Sequence, residues 1–454
     1  MKFNFSWSKV HLLKGSDRTN LIKKNIFSLF ILKVVSVCSS LILVPLTLRY
    51  LEPNKYGIWL TLSSIVAWVG YFDLGLSNGM RNQLGEAFAK NDLKSARVLV
   101  STTFASLLII VVFLNILFWI INPFLNWNTI LNVNMSMKNE ISMLVFVVFT
   151  LFSFQFLTGL IIAVINTDQQ PALANSINVF SSLLSLIVIY LLTLFTKNSL
   201  LFLGISLSTI SFIVPLTASI FFFKFKYNNI SPKFAFVDFR KIKSIAKQGV
   251  QFFILQITTV ILTMTDLLII SRLYGAKEVV PYNIAYRLFG YVIIVFGIFT
   301  TPLWASYNEA YNKNEENWIK RTTNKMVFLW VILVIGVFFM IAFSSHIYKF
   351  WIGDQIVIPI SLTFYMGVFV ILQSLNSIFA TFIYSTGKLL ILTYSSIFIS
   401  IINIPLCLFL AKYLNFGTSG IIIATILCTT LNLILAIYQY MKIINNNATG
   451  ILIK

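Results

Sequence analysis

Charge is scarce in this 454-residue chain. Only 11% of its residues are Asp, Glu, Lys or Arg, less than half the roughly 25% usual in soluble domains. Acidic residues are rarer still, 14 against 34 Lys plus Arg, which gives a formal net charge of +20. So little charge cannot clothe a large soluble domain, so length is counted in apolar spans of about 20 residues rather than in domains of about 150. The two histidines, His11 and His346, lie far apart, with no metal-ligand spacing. The three cysteines, Cys38, Cys407 and Cys428, all sit inside apolar runs without a CxxC pair and read as packing residues. The patterns GxSxG, GxxxxGK[ST] and HExxH are missing, so no motif marks a hydrolase nucleophile, a nucleotide site or a zinc site. No cofactor is expected, and any energy input must come from ion gradients or downhill movement.

Apolar residues are plentiful, at 58% of the chain with mean hydropathy +0.87. Runs long enough to cross a bilayer cover 26–49, 56–80, 97–121, 141–165, 172–195 and 199–223, and then 248–271, 283–304, 326–346, 357–385, 389–412 and 418–441. Backbone groups in hydrocarbon must satisfy one another, so continuous runs of this length mean helices. The expected fold is an all-α integral membrane protein of about twelve transmembrane helices. Pro45, Pro215, Pro302, Pro359 and Pro405 are kink candidates.

An even number of spans puts both termini on one side. With the N-terminus inside, Lys and Arg in cytoplasmic loops outnumber those outside about threefold, which orients the chain with cytoplasmic termini. Residues 1–25 carry six cations and no small-residue cleavage site, and read as an uncleaved cytoplasmic segment. The expected organisation is then a 26–223 bundle of six helices, a basic cytoplasmic linker at 224–247, a second six-helix bundle at 248–441, and a cytoplasmic tail at 442–454. The linker holds Lys224, Lys226, Lys233, Arg240, Lys241, Lys243 and Lys247, cations suited to anionic membrane lipids. Nucleic acid is not an expected partner.

An internal repeat relates the halves. Glu86 to Asp92 reads EAFAKND, and Glu309 to Glu315 reads EAYNKNE, an offset of 223 residues. Arg49 and Arg272 end the preceding spans at the same offset, Tyr56 and Tyr282 open the following ones, and Thr167 and Thr386 occupy equivalent turns. Six helices per half make this a parallel repeat about an axis along the membrane normal, the usual frame for two bundles that rock around a central cavity. A transporter is therefore the leading class.

Three segments carry a family resemblance: YGIWLTLSSIVAWVGYFDLGLSNGMRNQLGEAFAKND from Tyr56 to Asp92, GVQFFILQITTVILTMTDLLIISRLYGAKEVVPYNIAYRLF from Gly249 to Phe289, and PLWASYNEAYNKNEENWIKR from Pro302 to Arg321. The chain resembles the Wzx-type O-antigen and polysaccharide flippases of the multidrug, oligosaccharidyl-lipid and polysaccharide exporter superfamily, and the likeness spans nearly its whole length. The resemblance implies a MATE-like architecture in a bacterial inner (cytoplasmic) membrane. It also implies an undecaprenyl-diphosphate-linked glycan as cargo, an O-antigen or capsule repeat unit moved to the periplasmic leaflet. A polysaccharide polymerase and a chain-length regulator would act beside it.

A charge inside a span costs at least about 2.5–3.5 kcal/mol at the helix centre, so each one is a functional candidate. Lys33 and Asp73 each lie about 10 Å from the inner ends of the first two spans, within reach of one another. Asp266 lies about 9 Å from the outer end of its span and Arg287 about 6 Å from the outer start of the next, a second potential pair. Lys33 and Arg287 read either as diphosphate ligands facing a cavity or as cations snorkelling to an interface. Asp266 reads either as a carboxylate coupling transport to H⁺ or Na⁺ or as a structural partner of Arg287. Asp73 reads as a structural ion-pair member. Gln256, equivalent to Lys33 at the repeat offset, is a candidate for sugar hydroxyls, and Arg49 and Arg272 are candidates to receive diphosphate or to anchor the interface. A multidrug antiporter of the same superfamily, favouring an acidic cavity, is opposed by Lys33 and Arg287. A membrane-embedded polymerase or glycosyltransferase would leave the repeat unexplained, and the chain has no external loop longer than about 20 residues to hold its catalytic site; a scaffold that recruits such enzymes is a third class.

Overall fold

The computed structural model describes residues 15–69, 76–168, 170–242, 265–300, 303–312, 314–354 and 356–445, with single positions at 258, 262 and 447. All regular structure among them is helical. The first half contains α1 (Gly15–Tyr50), α2 (Pro53–Val69), α3 (Leu76–Ala89), α4 (Leu93–Ile121), the short α5 (Trp127–Leu131), α6 (Lys138–Thr167), α7 (Pro171–Phe195) and α8 (Leu200–Phe225). The second contains α9 (265–274), α10 (Ala276–Thr300), α11 (Leu303–Asn312), α12 (Glu316–Ala342), α13 (Ser344–Ile352), α14 (Ile360–Thr386), α15 (Leu390–Leu408) and α16 (Thr418–Ile444). Ten helices among the described residues are long and apolar enough to cross a membrane. The expected spans 56–80 and 248–271 fall partly on residues outside the description.

The helices group into two compact units, Met1–Glu52 with Ile65–Phe253, and Pro53–Ser64 with Ile254–Lys454. The start of α2 thus groups with the second half of the chain. Gly57 explains the grouping, because a Cβ there would collide with the carbonyl oxygen of Ala276. Only glycine lets α2 approach the first turn of α10 backbone to backbone.

In the first unit α6 packs on α8, α1 on α7, and α3 on α4 and α6. Met80 and Leu84 of α3, Leu107 of α4, Leu160 and Val164 of α6 and Tyr227 beyond α8 form its inner core. Ile109, Phe113, Ile116 and Ile120 of α4 are exposed at helical spacing, an apolar stripe suited to lipid. In the second unit α14 packs on α10, α12 and α16. Tyr307, Phe382 and Tyr440 meet there edge to face, with Tyr307 and Tyr440 both against Phe382.

The EAFAKND and EAYNKNE segments form the same turn. Asn91 and Asn314 adopt left-handed φ of 53° and 57°. Asn91 N donates to Phe88 O and Asp92 N to Ala87 O, and Asn314 N donates to Tyr311 O and Glu315 N to Ala310 O. This is the Schellman cap, closed by asparagine, whose short polar side chain tolerates that conformation. Helices α4 and α12 begin at Leu93 and Glu316, again 223 residues apart.

Beyond α8 the chain stays on the first unit. Three short turns, Asn228–Ile230, Phe234–Phe236 and Phe239–Lys241, run along α4. Lys233 N donates to Ser101 Oγ at 3.0 Å and Asp238 N to Thr102 Oγ1 at 3.0 Å, while Arg97 donates to Asn228 O at 2.9 Å and lies over the Phe236 ring. Ser101 and Thr102 are buried hydroxyls inside an apolar helix, and the strap gives them the partners that burial demands.

Candidate functional site

The structure locates five of the seven candidate residues; Asp73 and Gln256 lie outside the described residues. Lys33 is exposed on α1, in an otherwise apolar face with Phe30, Ile31 and Val34. Its proposed partner Asp73 is among the positions not described. Arg49, in the last turn of α1, and Arg272, near the end of α9, are both exposed. They keep their equivalent places at helix ends.

Arg287 lies farther along its helix than the apolar run suggested. The run starts at Asn283, but the helix starts at Ala276, because Gly275 with φ of +92° ends α9 and allows α10 to begin at once. Lys277 and Glu278, which read as loop residues, occupy its first turn, where Glu278 complements the helix dipole. Arg287 is then eleven residues into α10, about 16 Å along its axis. It is half-buried and makes no ion pair among the described residues. Its guanidinium instead acts electrostatically on the buried phenol of Tyr56, which also feels Tyr291.

Asp266 is almost wholly buried, at 1% exposure. Its partner is Tyr282 rather than Arg287: the phenol donates to Oδ2 at 2.6 Å, and Oδ1 has no hydrogen-bond partner among the described residues. The physical reason is the same shift of the helix start, which brings Tyr282 into the second turn of α10, beside α9. Around this carboxylate the second unit gathers further polar groups. Tyr286, Cys407 and Cys428 lie within its electrostatic range. The buried amide of Asn403 links the two thiols, Nδ2 donating to Cys428 Sγ and Oδ1 accepting from Cys407. The cysteines therefore belong to a polar cluster as well as to packing. Tyr282, Asn403 and the two thiols escaped the sequence reading. An asparagine within the apolar run IINIPLCLF and a tyrosine sixteen residues from an intramembrane aspartate were the available signals.

A second cluster closes one end of the first unit. Asp168 Oδ2 accepts from Gln170 at 2.7 Å and Tyr227 at 2.8 Å, and pairs with Lys226 at 3.3 Å. Burial, together with the neighbouring carboxylate, pushes the Tyr227 phenol up from its ordinary value, whereas burial pulls Lys226 down against the opposing pull of Asp168. Lys226 is thus committed within the protein, and Arg240 pairs with Asp238 at 3.0 Å. Two of the linker cations expected to meet lipid have protein partners. Lys243 and Lys247 lie outside the described residues.

No group of three His, Cys, Asp or Glu suited to a metal occurs among the described residues. Among the described residues the second unit offers a buried carboxylate with a free oxygen, and a guanidinium without a carboxylate partner, within the same helical pair. The first is suited to exchanging a single proton or cation, the second to holding an anion.

Comparison with known proteins shows the family and the fold. Residues 22–304 match the family described as "Polysaccharide biosynthesis protein", and residues 252–409 match the MatE family. A relative named "Putative O-antigen export protein" from Yersinia pseudotuberculosis is 23% identical over 79% of this chain and 82% of its own length. A "Putative O-antigen transporter" from Salmonella typhi is 23% identical over 70% and 72%. Among solved structures, an inward-facing multidrug resistance MATE family transporter of the MOP superfamily superposes with TM-score 0.75 at 11% identity, covering 92% of this chain and all of that one. The lipid II flippase MurJ in an inward closed conformation gives 0.67 at 15% identity, over 93% and 90%. The fold is MATE-like and all-α, and the chain belongs to the polysaccharide biosynthesis protein family.

Proposed function

We propose that this protein is a flippase that carries an undecaprenyl-diphosphate-linked oligosaccharide, an O-antigen or capsule repeat unit, from the cytoplasmic to the periplasmic leaflet by alternating access. The observation that carries the reading is Arg287, a half-buried guanidinium about 16 Å into a membrane helix with no carboxylate partner among the described residues. An unneutralised charge at that depth is costly, and the planar fork of a guanidinium matches phosphate oxygens two at a time. A diphosphate relieves the cost while bound and fixes the cargo's orientation. Lys33, Arg49, Arg272 and Gln256 extend the path for diphosphate and sugar. Relatives named as O-antigen transporters and the MurJ fold support the cargo class. In this reading the protein works in a bacterial inner membrane, and the excess of cations in one set of loops supports cytoplasmic termini. A polymerase and a chain-length regulator then take the delivered unit.

Asp266 is the coupling residue in this reading. Its open Oδ1 accepts an ion, and the phenol and thiols around it suit a proton better than Na⁺, a hard cation that prefers several oxygen ligands. Asp73 serves as a structural partner for Lys33. The test is translocation of a labelled polyprenyl-diphosphate sugar across proteoliposomes, with and without imposed H⁺ and Na⁺ gradients. Transfer to the opposite leaflet, absent from empty liposomes, is the expected result. No transfer of several such sugars by folded protein would reject the reading.

A further inference from the structure

Helix α12 carries a surface that the transport reading does not use. Arg321, Asn324, Lys325, Phe328 and Leu329 line a groove of about 620 Å³ on its exposed side. Neither Arg321 nor Lys325 forms an ion pair among the described residues. The groove continues into a stripe of exposed apolar residues, Ile332, Ile335 and Phe339, which follow at three- and four-residue steps on the same face. The opposite face is buried through Ile319, Thr323, Met326 and Val337, so the stripe is the side that α12 turns away from its own unit.

One helix face therefore changes, without interruption, from two cations and an amide to bare hydrocarbon. Lys325 to Ile335 spans ten residues, about 15 Å, which is half of the roughly 30 Å hydrocarbon thickness of a bilayer. That is the outline of a single phospholipid, its phosphate at the start of the helix and an acyl chain beneath. We infer that Arg321, Asn324 and Lys325 form a binding site for one anionic phospholipid of the leaflet in which α12 begins. Arg321 and Lys325 sit one turn apart, so a headgroup phosphate bridges them while the Asn324 amide donates a further hydrogen bond. The chain lies along Phe328, Leu329, Ile332 and Ile335. Charge complementarity selects lipid over a second copy of this chain, because a copy with the same +20 would bring cations toward cations.

Native mass spectrometry from detergent with equal phosphatidylglycerol and phosphatidylcholine tests the site. The wild-type protein should retain one phosphatidylglycerol in preference. Each cation near an anionic headgroup contributes about a factor of five, so the Arg321→Ala/Lys325→Ala double variant should lose roughly 25-fold of that preference. The charge-preserving Arg321→Lys/Lys325→Arg variant should keep most of it. Unchanged preference in the double alanine variant, with unaltered thermal unfolding, overturns the site, as does loss of a dimer mass in place of a lipid mass. Should the alanine variant fail to fold, Phe328→Trp in the otherwise native chain supplies a second measurement. The quenching it adds to that of the nine native tryptophans, taken as the difference from the wild-type chain, should be greater with brominated phosphatidylglycerol than with brominated phosphatidylcholine, and an equal increment overturns the proposal.

Discussion

Tyr282 donates a 2.6 Å hydrogen bond to Oδ2 of Asp266, and Oδ1 of the same buried carboxylate has no partner among the described residues. One half of the carboxylate is held in place and the other is open. Asp266→Asn should preserve folding and abolish the response of translocation to an imposed H⁺ gradient, measured in proteoliposomes. An unchanged response would remove Asp266 from coupling. Tyr282→Phe deprives a buried acceptor of its donor and should destabilise the protein by about 1–3 kcal/mol in thermal unfolding.

Arg287 is expected to act through geometry as well as charge. Arg287→Ala should abolish translocation of the diphosphate-linked sugar in folded protein, and Arg287→Lys should restore only part of it, because an ammonium lacks the planar fork. Full rescue by lysine would mean that a point charge suffices.

Gly57 has no room for a side chain. Gly57→Ala should force α2 from the first turn of α10, costing at least about 1–3 kcal/mol by analogy with overpacked cores. Fluorescence-detected size exclusion after heating would show a lower midpoint. An unchanged midpoint would mean that the two backbones separate freely.

The matched turns at Asn91 and Asn314 predict matched costs. Alanine at either position must adopt left-handed φ, at about 1–2 kcal/mol. Asn91→Ala and Asn314→Ala should lower the unfolding midpoint by similar amounts, whereas glycine at either should be tolerated.

The Asp168 cluster predicts an alkaline weakness with a definite sign. The Tyr227 phenol is raised in the folded protein, so the folded state keeps a proton that the unfolded chain releases near pH 10. That contribution is present below pH 10 and is lost as pH rises above it. Lys226, lowered by burial, acts oppositely, favouring the folded state as pH rises toward 10.5. Tyr227→Phe should therefore flatten or reverse the loss of thermal stability between about pH 10 and 11.

Much of the helical plan is readable in the sequence because span length and cation bias are global properties. The 223-residue offset survives into dihedral angles and hydrogen bonds, since EAFAKND and EAYNKNE preserve the one asparagine that the turn requires. The depth of Arg287 was not readable, because a hydropathy run cannot distinguish a polar first turn from a loop, and Lys277 and Glu278 disguised the start of α10. The expected pair between Asp266 and Arg287 failed for that reason. The neighbours of Asp266 on α15 and α16 come from more than 130 residues away, a proximity that no local pattern encodes. Ser101 and Thr102 were the visible trace of the strap on α4, but their partners are backbone groups, which leave no residue signature.

That last point determines where this part of the protein is free to change. The strap is held largely through amide and carbonyl groups that any residue but proline provides, so side chains at positions such as Lys233 can be exchanged while the strap keeps its place. Ser101 and Thr102, which supply the hydroxyls, have no such freedom. A lineage could retune the charge of this stretch to the lipid composition of its membrane and leave the first unit's architecture untouched, so long as two small hydroxyls on α4 were kept.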